Sequence, residues 1–189
     1  AVSQIFNMSR TFSRVTVLGQ DDHGLKTLGM TGEIAKDERI FSARFIGDRG
    51  FVVTFRQTDP LFTLDLKDPT KPTVVGELKV PGFSTYIHMM DDTKLLTVGR
   101  EGSSLKVSIF DVTNMAEPTE VNTYLSASGA YSEAEWNPLA FTYSSKNGLL
   151  AIPIITYSNQ GFFGLKSVAG SAQASMLVLD VKNGNKITE

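Results

Sequence analysis

The sequence contains no cysteine, which removes disulfides, thiolate nucleophiles and thiolate metal sites together. The redox compartment stays open, because disulfide-free proteins occur in every compartment. Only two histidines exist to serve as bases or zinc ligands, and no G-x-S-x-G, H-E-x-x-H, G-x-G-x-x-G or P-loop pattern occurs. Long apolar runs are missing too. The longest, Leu149 to Ile155, falls far short of the roughly 18 residues of a membrane span, and no signal-peptide pattern opens the chain. An excess of one charge is also lacking: 18 basic against 20 acidic residues give a net charge of −2. That balance supplies no field to neutralise a run of phosphates, so nucleic acid is not an expected partner. Helix signals are nearly absent, since no long segment holds a 3.6-residue apolar period between caps.

What is present is a repeat. Residues 61–80, LFTLDLKDPTKPTVVGELKV, return in altered form at residues 105–124 as LKVSIFDVTNMAEPTEVNTY, with Asp65 and Asp111 46 residues apart. RVTVLGQDDHGLKTLG near the start is an earlier copy, and MLVLDVKNGNKIT carries a last one with Asp180. Each later copy is preceded by two β-type runs around a tight turn, ARFIGDRGFVVTF, IHMMDDTKLLTVG and AFTYSSKNGLLAI, and Asn147-Gly148 in the third is a type I′ hairpin signal. Each repeat therefore predicts four antiparallel strands, a to d, in roughly 45 residues, the pattern of a β-propeller blade. Runs such as Phe51-Val52-Val53 are continuously apolar, as strands covered on both faces are. The fold class expected is all-β, an arc of about 3.5 to 4 four-stranded blades. Residues 13–34 form half a blade, 39–80 and 82–125 whole ones, and 131–189 a fourth with an inserted loop at 156–174. Ala1 at the start and a strand pattern at the end fit a segment of a longer chain. An open arc leaves blade edges exposed, which predicts possible self-association through them.

Residues 38–88, ERIFSARFIGDRGFVVTFRQTDPLFTLDLKDPTKPTVVGELKVPGFSTYIH, resemble a family of bacterial secreted proteins whose C-terminal β-propeller is distantly related to WD repeats. Weaker similarity continues through SIFDVTNMAEP and NGLLAIPI, so about 150 of the 189 residues are covered. The resemblance implies export to the cell surface or beyond, a propeller that continues past both ends, and no established catalytic activity.

In an antiparallel blade the b-to-c and d-to-a connections emerge on one rim and the a-to-b and c-to-d turns on the other. Arg56 and Arg100 follow strand b in successive blades, and the 156–174 insertion occupies the b-to-c position of the fourth. That rim is the expected recognition face for a protein or cell-surface polymer. Arg56 and Arg100 would offer fork-shaped donors to carboxylates, and Phe162 and Phe163 an apolar anchor. The structural alternative pairs Arg56 with Asp59 and Arg100 with Glu101. Glu133 and Glu135, two apart, would share one face of a strand, and His88 would share a strand face with Ser84 and Tyr86. These three are the candidates for a hydrolase-type or metal-binding alternative at the channel mouth. No catalytic residue, metal ligand or cofactor is predicted. Asp65, Asp111 and Asp180 have the chemistry of calcium ligands, but their repetition favours a structural role, accepting amide hydrogens in the adjoining turns.

Overall fold

Turn chemistry divides the chain into hairpins, and among the described residues the hairpins assemble into four antiparallel sheets. The computed structural model describes residues 2–7, 10–55, 59–158, 171–182 and 184–189. The first sheet has strand order β1 (Val2–Asn7), β2 (Arg10–Asp21) and β3 (Gly24–Met30). Strand β1 adds a third strand where the sequence reading placed only a c–d hairpin. The second sheet runs β4 (Arg39–Ile46), β5 (Arg49–Phe55), β6 (Asp59–Asp65) and β7 (Thr73–Val80). The third runs β8 (Phe83–Met89), β9 (Lys94–Glu101), β10 (Ser104–Asp111) and β11 (Thr119–Ser128).

The fourth sheet departs from this plan. Its a strand is split into β12 (Ala130–Tyr131) and β13 (Thr142–Ser144), both paired with β14 (Leu149–Ser158), which pairs on its other edge with β15 (Ser171–Asp180). Between β12 and β13 lie two short 3-10 turns, Glu133–Glu135 and Pro138–Ala140. Strands β14 and β15 reach further toward the rim than expected, with Tyr157 opposite Ala172, so they take up part of the expected insertion. The turn from β13 to β14 uses four residues, 145–148, of which Gly148 alone has positive φ, so it is not the two-residue type I′ hairpin expected from Asn147-Gly148.

Period-2 alternation sends successive residues to opposite sides, and three apolar seams result. Val15 of the first sheet and Ile34, bridged to Ser13 just beyond it, meet Val52, Phe62 and Leu64 of the second. Phe51, Val53 and Leu61 leave the other side of that sheet and pack on Ile87, Leu95 and Phe110 of the third. Leu96, Val98, Val107 and Ile109 then pack on Leu150, Ile152, Leu177 and Leu179 of the fourth. A sheet buried on both sides needs apolar residues at consecutive positions, which is why these strands read as unbroken hydrophobic runs.

The repeated glycines have a steric cause. The ideal Cβ position of Gly29, in the first sheet's outer strand, lies 2.5 Å from the Thr70 carbonyl oxygen in the next sheet's c–d turn. Gly76 meets the Met115 carbonyl in the same way, and Thr63 Oγ1 donates to that carbonyl. One sheet further on, the position is Asn122, whose side-chain oxygen accepts from Ile187 N at 3.1 Å. Each c–d turn thus seats on the outer strand of the preceding sheet. A β-bulge recurs beside each seat, between Val17/Leu18, Thr63/Leu64 and Ile109/Phe110, at intervals of 46 residues along the c strands.

Candidate functional site

The b–c and d–a connections do share one rim. Ser103, in the b–c turn of the third sheet, accepts through its carbonyl from Gly129 N of the d–a link at 2.9 Å, and its hydroxyl lies 2.6 Å from that of Ser128 at the end of β11. Strands β14 and β15 end on the same rim, at Ser158 and Ser171. Phe162 and Phe163 fall between them, outside the described residues.

Arg100 stands at this rim but faces inward. Its guanidinium contacts both carboxylate oxygens of Glu135, at 3.1 and 3.3 Å, and donates to the Ser103 carbonyl at 2.9 Å. It also lies 4.4 Å from the centroid of the Tyr131 ring. The side chains of Arg100 and Glu135 are only 13% and 7% exposed, so the pair is a buried tie between the third and fourth sheets. The expected role of Arg100 as a free donor for an incoming carboxylate is therefore corrected, as is its alternative pairing with Glu101, whose carboxylate lies 3.4 Å from Lys106. Register also separates the two arginines. Arg39 pairs with Phe55 and Phe83 with Arg100, so Phe55 is the counterpart of Arg100. Arg56 lies outside the described residues.

Glu133 and Glu135 do not lie on a strand. Ser132-Glu133-Ala134-Glu135 forms a capping box: Ser132 Oγ accepts from Ala134 N at 3.2 Å and Glu135 Oε1 accepts from Ser132 N at 2.9 Å. Glu133 points elsewhere, to Asn137 Nδ2 at 2.5 Å. His88 is half-buried in a ring cluster, 5.0 Å from Phe141 and 5.3 Å from Tyr143. Burial, with the nearby Arg44 charge, holds its pKa below the ordinary histidine value. A bulge between Ser84 and Tyr86 places the Ser84 hydroxyl against Thr97 at 3.2 Å, so Ser84 does not share the His88 face. Among the described residues, Glu133, Glu135 and His88 are not bonded to one another, and no group of three or more His, Asp or Glu is arranged to hold a metal ion. On the opposite rim, Asp65, Asp111 and Asp180 accept from Lys67 N, Thr113 N and Lys182 N, each at 2.9 Å. Asp111 is held down to about pKa 2 by its bond to Lys94, at 2.8 Å, and by those to Thr113.

What the rim presents outward is aromatic. A recess of about 940 Å³ is lined by Ser128, Gly129, Tyr131, Trp136, Ile155 and Tyr157. Tyr131 and Tyr157 meet edge-on with centroids 6.0 Å apart, and Trp136 is 69% exposed. The capping box and the Arg100 ion pair fix the backbone between Tyr131 and Trp136. Three accessible rings beside an aliphatic wall can stack on a flat apolar ligand surface, with serine hydroxyls and backbone amides at the margin for orientation. The residue-level reading missed this recess. The available signals were S-x-x-E at 132–135 and aromatics clustered at strand ends on one rim.

One three-stranded and three four-stranded antiparallel sheets among the described residues, stacked side by side with each later turn seated on the preceding sheet, make this an arc of a β-propeller. The chain belongs to the beta propeller domain family, whose profile matches residues 2–189. It is similar to an uncharacterized protein of Archaeoglobus fulgidus, 41% identical over 165 residues that cover 84% of this chain and 26% of that protein. A second similar protein, also uncharacterized and from Methanocaldococcus jannaschii, is 40% identical over 104 residues, covering 54% of this chain and 17% of its own length. The chain thus spans about a quarter or less of either relative. Both are archaeal, where the resemblance pointed to bacteria. No helix among the described residues is long and apolar enough to cross a membrane.

Proposed function

We propose that this chain is a non-catalytic binding or scaffolding module of an exported propeller, recognising a protein or cell-surface polymer through the loop-bearing rim. The observation that carries this reading is the recess of Tyr131, Trp136 and Tyr157 on that rim. With Arg100 neutralised by Glu135, the recess offers rings rather than charge, which suits the apolar face of a sugar ring or a proline-rich segment. Acid–base chemistry has no comparable support, because Glu135 is held by Arg100, Glu133 by Asn137, and His88 is stacked against rings.

Trp136 is the sole tryptophan, so its fluorescence reports on the recess directly. Titration with hexose oligosaccharides, N-acetylated glycans and proline-rich peptides is expected to give a saturable change with one class. Tyr131→Ala and Tyr157→Ala should abolish it without changing the circular dichroism. The absence of a saturable response to every class would overturn the assignment. Fractionation of cells producing the parent protein tests export, with a cytoplasmic pool as the contrary result.

A further inference from the structure

The far rim holds a cavity inside a seam, between the complete second and third sheets, so neither open side of the arc contributes to it. Its volume is about 360 Å³. Asp48 of the a–b turn, Arg49 at the start of β5, Asp65 at the end of β6 and Lys67 just beyond it supply charge, while Val75 of β7 and Met115 of the third sheet's c–d turn supply apolar surface. The next seam shows the same place filled. Lys94 faces Asp111 as Arg49 faces Asp65, and there the two side chains bond at 2.8 Å. Gly184, four residues past Asp180, lies against that lysine, its ideal Cβ position 2.6 Å from Lys94 Cδ.

In the second sheet Arg49 instead donates across the seam to the Asp92 carbonyl at 2.5 Å, and Met115, four residues past Asp111, holds the turn position of Gly184. Asp65 keeps one bond, accepted by Oδ1 from Lys67 N. Among the described residues, Asp65 Oδ2, the Asp48 carboxylate and the Lys67 ammonium take part in no hydrogen bond or ion pair. Opposite charges thus stand side by side on neighbouring strands, next to the half-buried Val75 and Met115. We propose that this cavity binds a free α-amino acid with an apolar side chain. The ammonium meets Asp65 Oδ2 and Asp48, the carboxylate meets Lys67 and the remaining N–H donors of Arg49, and the side chain lies on Val75 and Met115. An α-amino acid carries both charges on one carbon, which suits partners set on directly paired strands. The lining bears two positive and two negative groups, so a ligand of zero net charge leaves none of them unbalanced. The site lies on the rim opposite the aromatic recess and depends on none of its residues.

Isothermal titration calorimetry of the 189-residue chain with L-leucine and L-methionine tests this, with saturable one-to-one binding expected. N-acetyl-L-leucine lacks the ammonium and L-leucinamide the carboxylate, and each should bind about tenfold or more weakly than L-leucine through loss of charge-assisted bonds. Asp65→Asn keeps the acceptor for Lys67 N, and Lys67→Gln alters an exposed side chain. Both variants should keep the wild-type circular dichroism and lose about tenfold in affinity. The Met115 methyl resonance, assigned through Met115→Leu, should shift on addition of L-leucine while Trp136 fluorescence stays constant. Four results would each overturn the proposal: no binding of either amino acid at millimolar concentration, equal binding of the singly charged analogues, unchanged affinity in either variant, or a response at Trp136 in place of Met115.

Discussion

Two sides of neighbouring sheets carry related residues at matching register and meet opposite fates. Val107 and Ile109, facing the fourth sheet, are fully buried, while their counterparts Met176 and Val178 are among the exposed large hydrophobics. The chain therefore specifies a packing surface per repeat, independent of whether a neighbour is present. The energetic value of each residue depends on the neighbour, and that is measurable.

The sharpest contrast comes from truncation. Ile109→Ala leaves a cavity in a closed seam and should cost about 3 kcal/mol in denaturant unfolding, whereas Val178→Ala in the monomer should stay within about 0.5 kcal/mol. Comparable losses would mean that the two sides are equally buried in solution. A smaller difference is expected between two glycines. Gly76→Ala drives a methyl into the Met115 carbonyl and should cost about 2 kcal/mol, while Gly32→Ala meets open space and should be near neutral. Similar midpoints for both would break the account of turn seating.

The smallest effect concerns the far rim, where the carboxylate of the Asp111–Lys94 pair is 33% exposed against 7% for that of Arg100–Glu135. Its bonds to Lys94 and Thr113 hold the Asp111 carboxyl down to about 2 in the folded chain, below the ordinary 3.8. Its contribution is complete above the higher value and is lost as pH falls through the lower one. Thermal midpoints measured from pH 5 downward should therefore decline, and Asp111→Asn should flatten part of that decline. An unchanged profile in the variant would show that the Lys94 bond adds nothing to stability.

Much of the architecture was legible because it is locally encoded. Asp65, Asp111 and Asp180 each close a turn two residues on, a signal contained in adjacent residues. Gly29 and Gly76 sit at matching places in two copies of the repeat, although the cause of each is a carbonyl some 40 residues away. The pairing of Arg100 with Glu135 was not legible, since it joins different sheets across 35 residues. Reading 133–135 as strand followed from the β-rich context, while the capping serine favoured a turn. The a–b turn of the third sheet, 91–93 against 47–48 in the second, is one residue longer and misaligned Arg56 with Arg100, while the Ser84/Tyr86 bulge took Ser84 off the His88 face.

The seats on Gly29, Gly76 and Asn122 all point one way: an earlier strand receives a later turn. A ribosome emits the chain in that same direction, so each finished β-meander becomes a template before its successor has emerged. Assembly of this kind is vectorial, and it spares the nascent chain a search among look-alike partners that repeated sequences would otherwise offer.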